Sequence, residues 1–254
     1  MEEKKGFWVD LRSAIMFITI LPAGRGNTFS PTGMIRFFPV VGLMAGVLLA
    51  LVDTVASLLW PLPVVALVDV LLLVGVTGAF HLDGLGDAAD GLFSHRSRER
   101  ALEIMKDSRT GMMGLVAIFC VLSLKIAGIY AAKTVCTGGT FLVLLIIVPA
   151  YARGGMLFGI RYLQYGRENT GTGHDLFEKR LPLKDFIWLG IPLFCSLFMG
   201  CRGLVLNLFF AGTVFLMLWF YQKKMECITG DMLGAMTEVT EAILFLGAGM
   251  SIYS

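Results

Sequence analysis

The chain has 254 residues, of which 56% are hydrophobic and 16% charged, with a formal net charge of +2 at neutral pH and a mean hydropathy of +0.77. Soluble domains hold about 45–50% apolar and about 25% charged residues, so a soluble globule is excluded; charge bunched between long apolar runs marks a chain that crosses a bilayer repeatedly. The basic residues form no aromatic-interleaved stripe, which argues against nucleic acid as a partner. Five cysteines without a CxxC pair (Cys120, Cys136, Cys195, Cys201, Cys227) indicate neither a disulfide framework nor a thiolate zinc site and read as packing residues.

In chain order, the segment from Phe7 to Leu21 is shorter than a span and lacks a small-residue cleavage site after it. With Trp8 and Arg12 near its start and Pro22 after it, it reads as a retained interfacial helix. Ser30-Pro31 has the form of an N-cap followed by a first-turn proline. Seven apolar windows follow: 35–59, 62–80, 112–132, 139–158, 185–201, 203–221 and 239–253. A span needs about 20 residues, so the short fifth and seventh windows leave a re-entrant course open. The expected fold is an all-α integral membrane protein, a polytopic bundle of six or seven transmembrane helices plus the N-terminal interfacial helix, in one domain over residues 1–254. Gly42-x-x-x-Gly46, Gly75-x-x-Gly78 and Gly155-x-x-x-Gly159 are expected to let helices approach closely.

Basic residues orient the bundle. Seven spans with the N-terminus inside place Lys4, Lys5, Arg12, Arg25 and Arg36 on the inner side, then Arg96, Arg98, Arg100, Lys106 and Arg109. Arg161, Arg167, Lys179, Arg180 and Lys184 follow in the third inner loop, and Lys223 and Lys224 in the fourth. The outer connections hold only Lys133 and Arg202. The polar motifs then face the cytoplasm.

The most informative motif is His81-Leu-Asp83-Gly-Leu-Gly-Asp87-Ala-Ala-Asp90-Gly91. Asp83, Asp87 and Asp90 fall at i, i+4 and i+7, which stacks three carboxylates on one helical face. A solvated helix end does not need three acids on one stripe. At the rim of a bilayer their repulsion calls for protonation or a cation, and all-oxygen ligation suits magnesium, manganese or calcium. Gly84, Gly86 and Gly91, each costing about 1 kcal/mol in a helix interior, point to close approach by a ligand or a neighbouring helix. A second acidic set, Asp231, Glu238 and Glu241, recurs at i, i+7 and i+10, and two such helices have the means to hold a pair of metals; for Asp231 alone, helix capping is the plainer reading. Arg98 to Gly111 reads as an amphipathic helix whose basic residues either clamp phosphates or anchor the inner surface; charge pattern leaves both open. Arg153, inside a span, needs an anionic partner, either the acids or a substrate phosphate. His81 suits a base or an orienting group, with a packed histidine as the plainer alternative, and His95 and His174 carry no role.

Carboxylates that bind metal beside basic residues fit phosphoryl or phosphodiester transfer. Asp87-x-x-Asp90-Gly91 resembles the beginning of the CDP-alcohol phosphotransferase motif, but Ser94-His95 stands where that family has Ala-Arg, and its later glycine-aspartate-aspartate spacing is missing. The runs Phe80 to Phe93 and Arg98 to Arg109 strongly resemble the cobalamin synthase, or adenosylcobinamide-GDP ribazoletransferase, family. Phe17 to Pro22, Phe38 to Gly42 and Thr229 to Gly234 followed by Glu238 and Glu241 extend the resemblance from end to end; Met112-Met113 is a departure. The resemblance implies a magnesium-dependent transfer at the bacterial inner membrane. In it the 3'-hydroxyl of alpha-ribazole or its 5'-phosphate attacks the cobinamide-bound phosphorus of adenosylcobinamide-GDP, and GMP leaves. Together with the stripe it implies Asp83, Asp87, Asp90, Asp231 and Glu238 as magnesium ligands. Asp87, Asp90 or His81 would take the hydroxyl proton, and Lys106, Arg109 and Arg153 would hold phosphates. A homo-oligomer is compatible with this reading. A cation-coupled transporter is the rival from another class, opposed by acids at the mouth rather than the midplane and by the absence of an inverted repeat.

Overall fold

Proline, glycine and charge divide the apolar sequence into helices. The structure, a computed structural model, describes residues 6–24, 28–107, 109–167 and 173–251. Lys4, Lys5 and Arg25 lie outside the described residues. Helix α1 (Phe7–Ile18) buries Asp10, Ser13, Ala14 and Ile18 and leaves Trp8 and Met16 exposed. Twelve residues rise only about 18 Å, so this amphipathic helix lies against the bundle rather than crossing it. Arg36 donates to the Asp10 carboxylate at 2.7 Å and ties α1 to the start of the first span. That span is one run from α2 (Pro31–Met34) through a 3-10 turn into α3 (Phe38–Ala56). Pro31 stands in its first turn as expected, but the Ser30 side chain makes no capping bond; instead the Ser30 backbone N–H donates to Ser13 Oγ at 3.0 Å.

Helix α4 (Leu62–Thr77) ends where Gly78 and Ala79 both take positive φ, at 58° and 60°. Two consecutive left-handed residues redirect the chain, and α5 (Phe80–Leu92) leaves at 89° to α4. At thirteen residues, about 20 Å, α5 is too short to span and lies across one end of the bundle, called here the mouth. Helix α6 (Arg98–Ile104) is capped by the Ser97 side chain, which accepts from the Arg100 N–H. It stops at Ile104, so the expected helix from Arg98 to Gly111 is shorter than its charge pattern suggested and Lys106 and Arg109 follow it in a turn. Helices α7 (Met112–Val135) and α8 (Gly138–Tyr162) are each long and apolar enough to span. A 3-10 stretch (Leu183–Leu189), α9 (Gly190–Leu197), α10 (Cys201–Met225) and α11 (Gly230–Ala248) complete the chain.

Four helical runs are long and apolar enough to cross a membrane, and a fifth results if α4 and α5 count as one bent span. The fifth expected window has become the 3-10 stretch plus the eight-residue α9; Pro192, without an N–H, cannot bond back into the preceding turn of a continuous helix. The seventh belongs to a 19-residue helix whose Asp231, Glu238 and Glu241 make it more polar than a simple span. The expected six or seven spans thus exceed what length and composition alone support here.

Helix α8 is the axis of the bundle. It is buried over 78% of its span, against 28% for α7 and α10, which face outward. Its close neighbour is α3, where a Cβ on Gly42 would meet Ala150 Cα at 2.5 Å and one on Gly46 would meet the Ile146 carbonyl at 2.3 Å. That glycine pair works as expected. A Cβ on Gly159 would meet Leu233 of α11 at 2.8 Å, whereas one on Gly155 would make only ordinary contacts with α10 and α11; Gly75 has nothing within 4 Å, so the Gly75 spacing is no packing motif. Outward-facing Leu51, Leu71, Phe119, Phe194, Phe215 and Trp219 are more than half exposed. An apolar surface this extensive fits a lipid environment.

Candidate active site

Helix α5 turns its acids one way. Asp83 is exposed, Asp87 and Asp90 are partly buried, and Gly84, Leu85, Gly86, Ala88 and Ala89 between them are buried. The i, i+4, i+7 stripe is thus the accessible line of the helix, as its spacing predicts. Gly84 lets α11 cross so closely that a Cβ there would meet Asp231 Cα at 3.0 Å. The crossing brings Asp231, in the first turn of α11, beside the stripe. Asp90 is oriented by the head of α7, accepting from the N–H of Gly111 at 2.6 Å and of Gly114 at 2.8 Å.

Burial raises the Asp87 carboxyl to about 7, aided by the charges of Asp83, Asp231 and Asp90 and opposed by Arg167. Four acids therefore act on one another, and Arg167, bonded to Asp231, opposes them. Arg167 also donates to the Met105 carbonyl at 3.1 Å. It is placed there by backbone pairing: Ile228 N–H donates to the Gln164 carbonyl at 2.8 Å, and Gly166 N–H to the Ile228 carbonyl at 2.9 Å. Among the described residues, no three acidic, histidine or cysteine side chains are gathered into a ready-made metal site. The donor chemistry at the mouth nonetheless fits a hard divalent cation, all oxygen and short of positive charge.

Other expected members fall elsewhere. Glu238 lies deeper, where Lys125 Nζ donates to its carboxylate at 2.7 Å; Lys125 also bonds Glu241 at 2.5 Å. Arg153 is bonded to Glu241 and only 2% exposed. Of the two partners its sequence position left open, acids or a substrate phosphate, the structure pairs it with a carboxylate in the bundle. Two acids and two bases make the cluster neutral, the condition under which charges are tolerated inside a membrane protein. Lys125 is a residue the sequence reading did not single out, although a lysine inside an apolar window is itself the signal of a buried anion. His81 is 1% exposed, and among the described residues neither ring nitrogen has a hydrogen-bond partner. Burial, then the nearby Arg153, push it down to about 3, with Glu241 opposing and Lys125 adding. A ring that resists protonation so strongly is poorly matched to the role of base near neutrality. Arg109 is exposed and bonded to Asp107 at 2.6 Å, which holds the Asp107 carboxyl down at about 2. Lys106 is exposed in the same turn.

Fold and site together define a polytopic helical membrane protein with an acid-lined mouth. The profile of CobS, cobalamin-5-phosphate synthase, matches residues 10–249. An adenosylcobinamide-GDP ribazoletransferase of Roseiflexus sp. (strain RS-1) is 36% identical over 244 residues, covering 94% of this chain and 88% of that one. Proteins of the same name from Synechococcus elongatus (strain ATCC 33912 / PCC 7942 / FACHB-805) and Pseudomonas entomophila (strain L48) are each 35% identical. They cover 94% and 97% of this chain, and 95% and 99% of their own lengths. No solved structure matches. The chain belongs to the cobalamin-5-phosphate synthase family.

Proposed function

We propose that this chain joins alpha-ribazole, or its 5'-phosphate, to adenosylcobinamide-GDP, giving adenosylcobalamin or its 5'-phosphate and GMP. The observation that carries the reading is similarity to ribazoletransferases over nearly the whole chain, coinciding with an accessible acid stripe at the bundle mouth. Family membership leaves the CDP-alcohol phosphotransferase and the cation-coupled transporter without support.

In this reading, Asp83, Asp90 and Asp231 hold Mg2+, which when bound supplies charge neutralisation at the diphosphate. Asp87, raised to about 7, accepts the proton of the attacking 3'-hydroxyl. A new oxygen–phosphorus bond forms at the cobinamide-bearing phosphate, and the bond to GMP breaks. Lys106 and Arg109, in the turn leading to Gly111 and the backbone that orients Asp90, hold the phosphate on the cobinamide side. Glu238 and Arg153 serve the neutral cluster below the mouth and have no direct part. The positive-inside count supports placing the mouth and N-terminus on the cytoplasmic side, in this reading that of a bacterial inner membrane. The test is GMP release by the detergent-solubilised full chain given both substrates, with and without magnesium. Release that needs both substrates and the metal supports the reading; no release under any of these conditions ends it.

A further inference from the structure

Beside the acid stripe lies a cleft of about 630 Å3 lined in part by Arg161, Tyr165, Arg167, Phe177, Lys179 and Arg180. Its volume is in the range of small-molecule sites. Among the described residues that line it, four are cations and one, Glu178, is an acid. Tyr165 and Phe177 offer an aromatic pair with centroids 5.0 Å apart, and burial keeps the Tyr165 phenol above its usual range although Arg167 opposes the shift. Arg167 stands at the junction, lining the cleft while its guanidinium reaches Asp231. Cations for phosphate, a flat apolar surface for a base, and direct contact with the acid site are the three things a nucleotide needs there.

We propose that this cleft binds the nucleoside 5'-phosphate that the transfer releases, with its phosphate on Arg167, Lys179 and Arg180 and its base against Tyr165 and Phe177. The proposal rests on the ribazoletransferase reading and adds a location for the leaving nucleotide to it. A lipid headgroup would use the same cations but would leave the aromatic pair and the link to Asp231 without purpose.

The experiment is equilibrium binding of GMP to the purified full chain in detergent, with guanosine, alpha-ribazole 5'-phosphate and phosphatidylglycerol as competitors. Wild-type protein is compared with the double variant Lys179→Ala/Arg180→Ala and with Tyr165→Leu. The expected result is GMP binding weakened about tenfold in the double variant, the size of one lost charged hydrogen bond. Tyr165→Leu should also weaken it, with melting temperature unchanged in the double variant because both side chains are exposed. Guanosine should compete poorly, since it lacks the phosphate. Wild-type affinity in both variants, or displacement of GMP by phosphatidylglycerol or alpha-ribazole phosphate more readily than by GMP itself, overturns the proposal. GMP binding that follows the expected pattern in a protein that never releases GMP from the two substrates would refute the reaction and leave the cleft as a nucleotide site.

Discussion

The Arg167 guanidinium is bonded to the Asp231 carboxylate, joining the basic cleft after α8 to the acidic mouth across 64 positions of sequence. Both side chains are largely buried, at 13% and 19% exposure, so the pair is not an ordinary surface contact. Arg167→Gln should lower kcat/KM for GMP release about tenfold or more, in line with loss of a charge-assisted contact to substrate phosphate. Steady-state kinetics checks this; wild-type kcat/KM would remove Arg167 from the site.

Asp87 has a stability consequence with a definite sign. Its folded value is about 7 against an ordinary 3.8, so between those pH values the folded protein binds the proton more tightly than the unfolded chain does. Stability contributed by the protonated form is full below about 4 and lost as pH rises through 7. In metal-free detergent, Asp87→Asn should therefore melt higher than wild type at pH 8 and show less decline between pH 5 and 8. Thermal melts across that range decide it, and added magnesium should narrow the difference by stabilising wild type.

The cluster beneath the mouth predicts a different loss. Lys125→Met leaves Glu238 and Glu241 facing Arg153 alone, and breaking one side of a buried ion cluster costs about 3–5 kcal/mol. Lys125→Met/Glu238→Gln should recover part of this, since charge balance with Glu241 and Arg153 returns. Denaturation of the single and double variants in detergent measures the recovery; equal stability of both would contradict the pairing.

The helix contacts separate two glycines that look alike in sequence. Gly46→Leu drives a side chain into Ile146 of α8 and should prevent folding, whereas Gly75→Ala enters open space and should be neutral or stabilising by up to about 1 kcal/mol. Yield of monodisperse protein from membranes distinguishes them.

These contrasts show what was legible in the chain. Periodicity revealed the acid stripe because Asp83, Asp87 and Asp90 are local to one helix, and apolar length revealed α3, α7, α8 and α10. Partners were not legible. Lys125 meets Glu238 and Glu241 from 113 and 116 positions away, and only the fold decides that Arg153 takes Glu241 rather than a phosphate. The same holds for Arg167, which looked like one more inner-loop cation until the strand-like pairing of Gln164 and Gly166 with Ile228 set it against Asp231. The long helix expected after Arg98 failed for a local reason: the turn following Ile104 gives Asp107 and Arg109 to each other, and Gly111 to Asp90.

The most direct test is the magnesium dependence of GMP release by the purified full chain, measured for wild type, Asp87→Asn and Asp231→Asn. Asp87→Asn should lose about a hundredfold or more in kcat, as expected for a lost general base, and Asp231→Asn should need about tenfold more magnesium to reach half its maximal rate, as expected for a lost carboxylate ligand. Near-wild-type rates in both variants with the same magnesium requirement would contradict the assignment of the acidic mouth as the catalytic metal site.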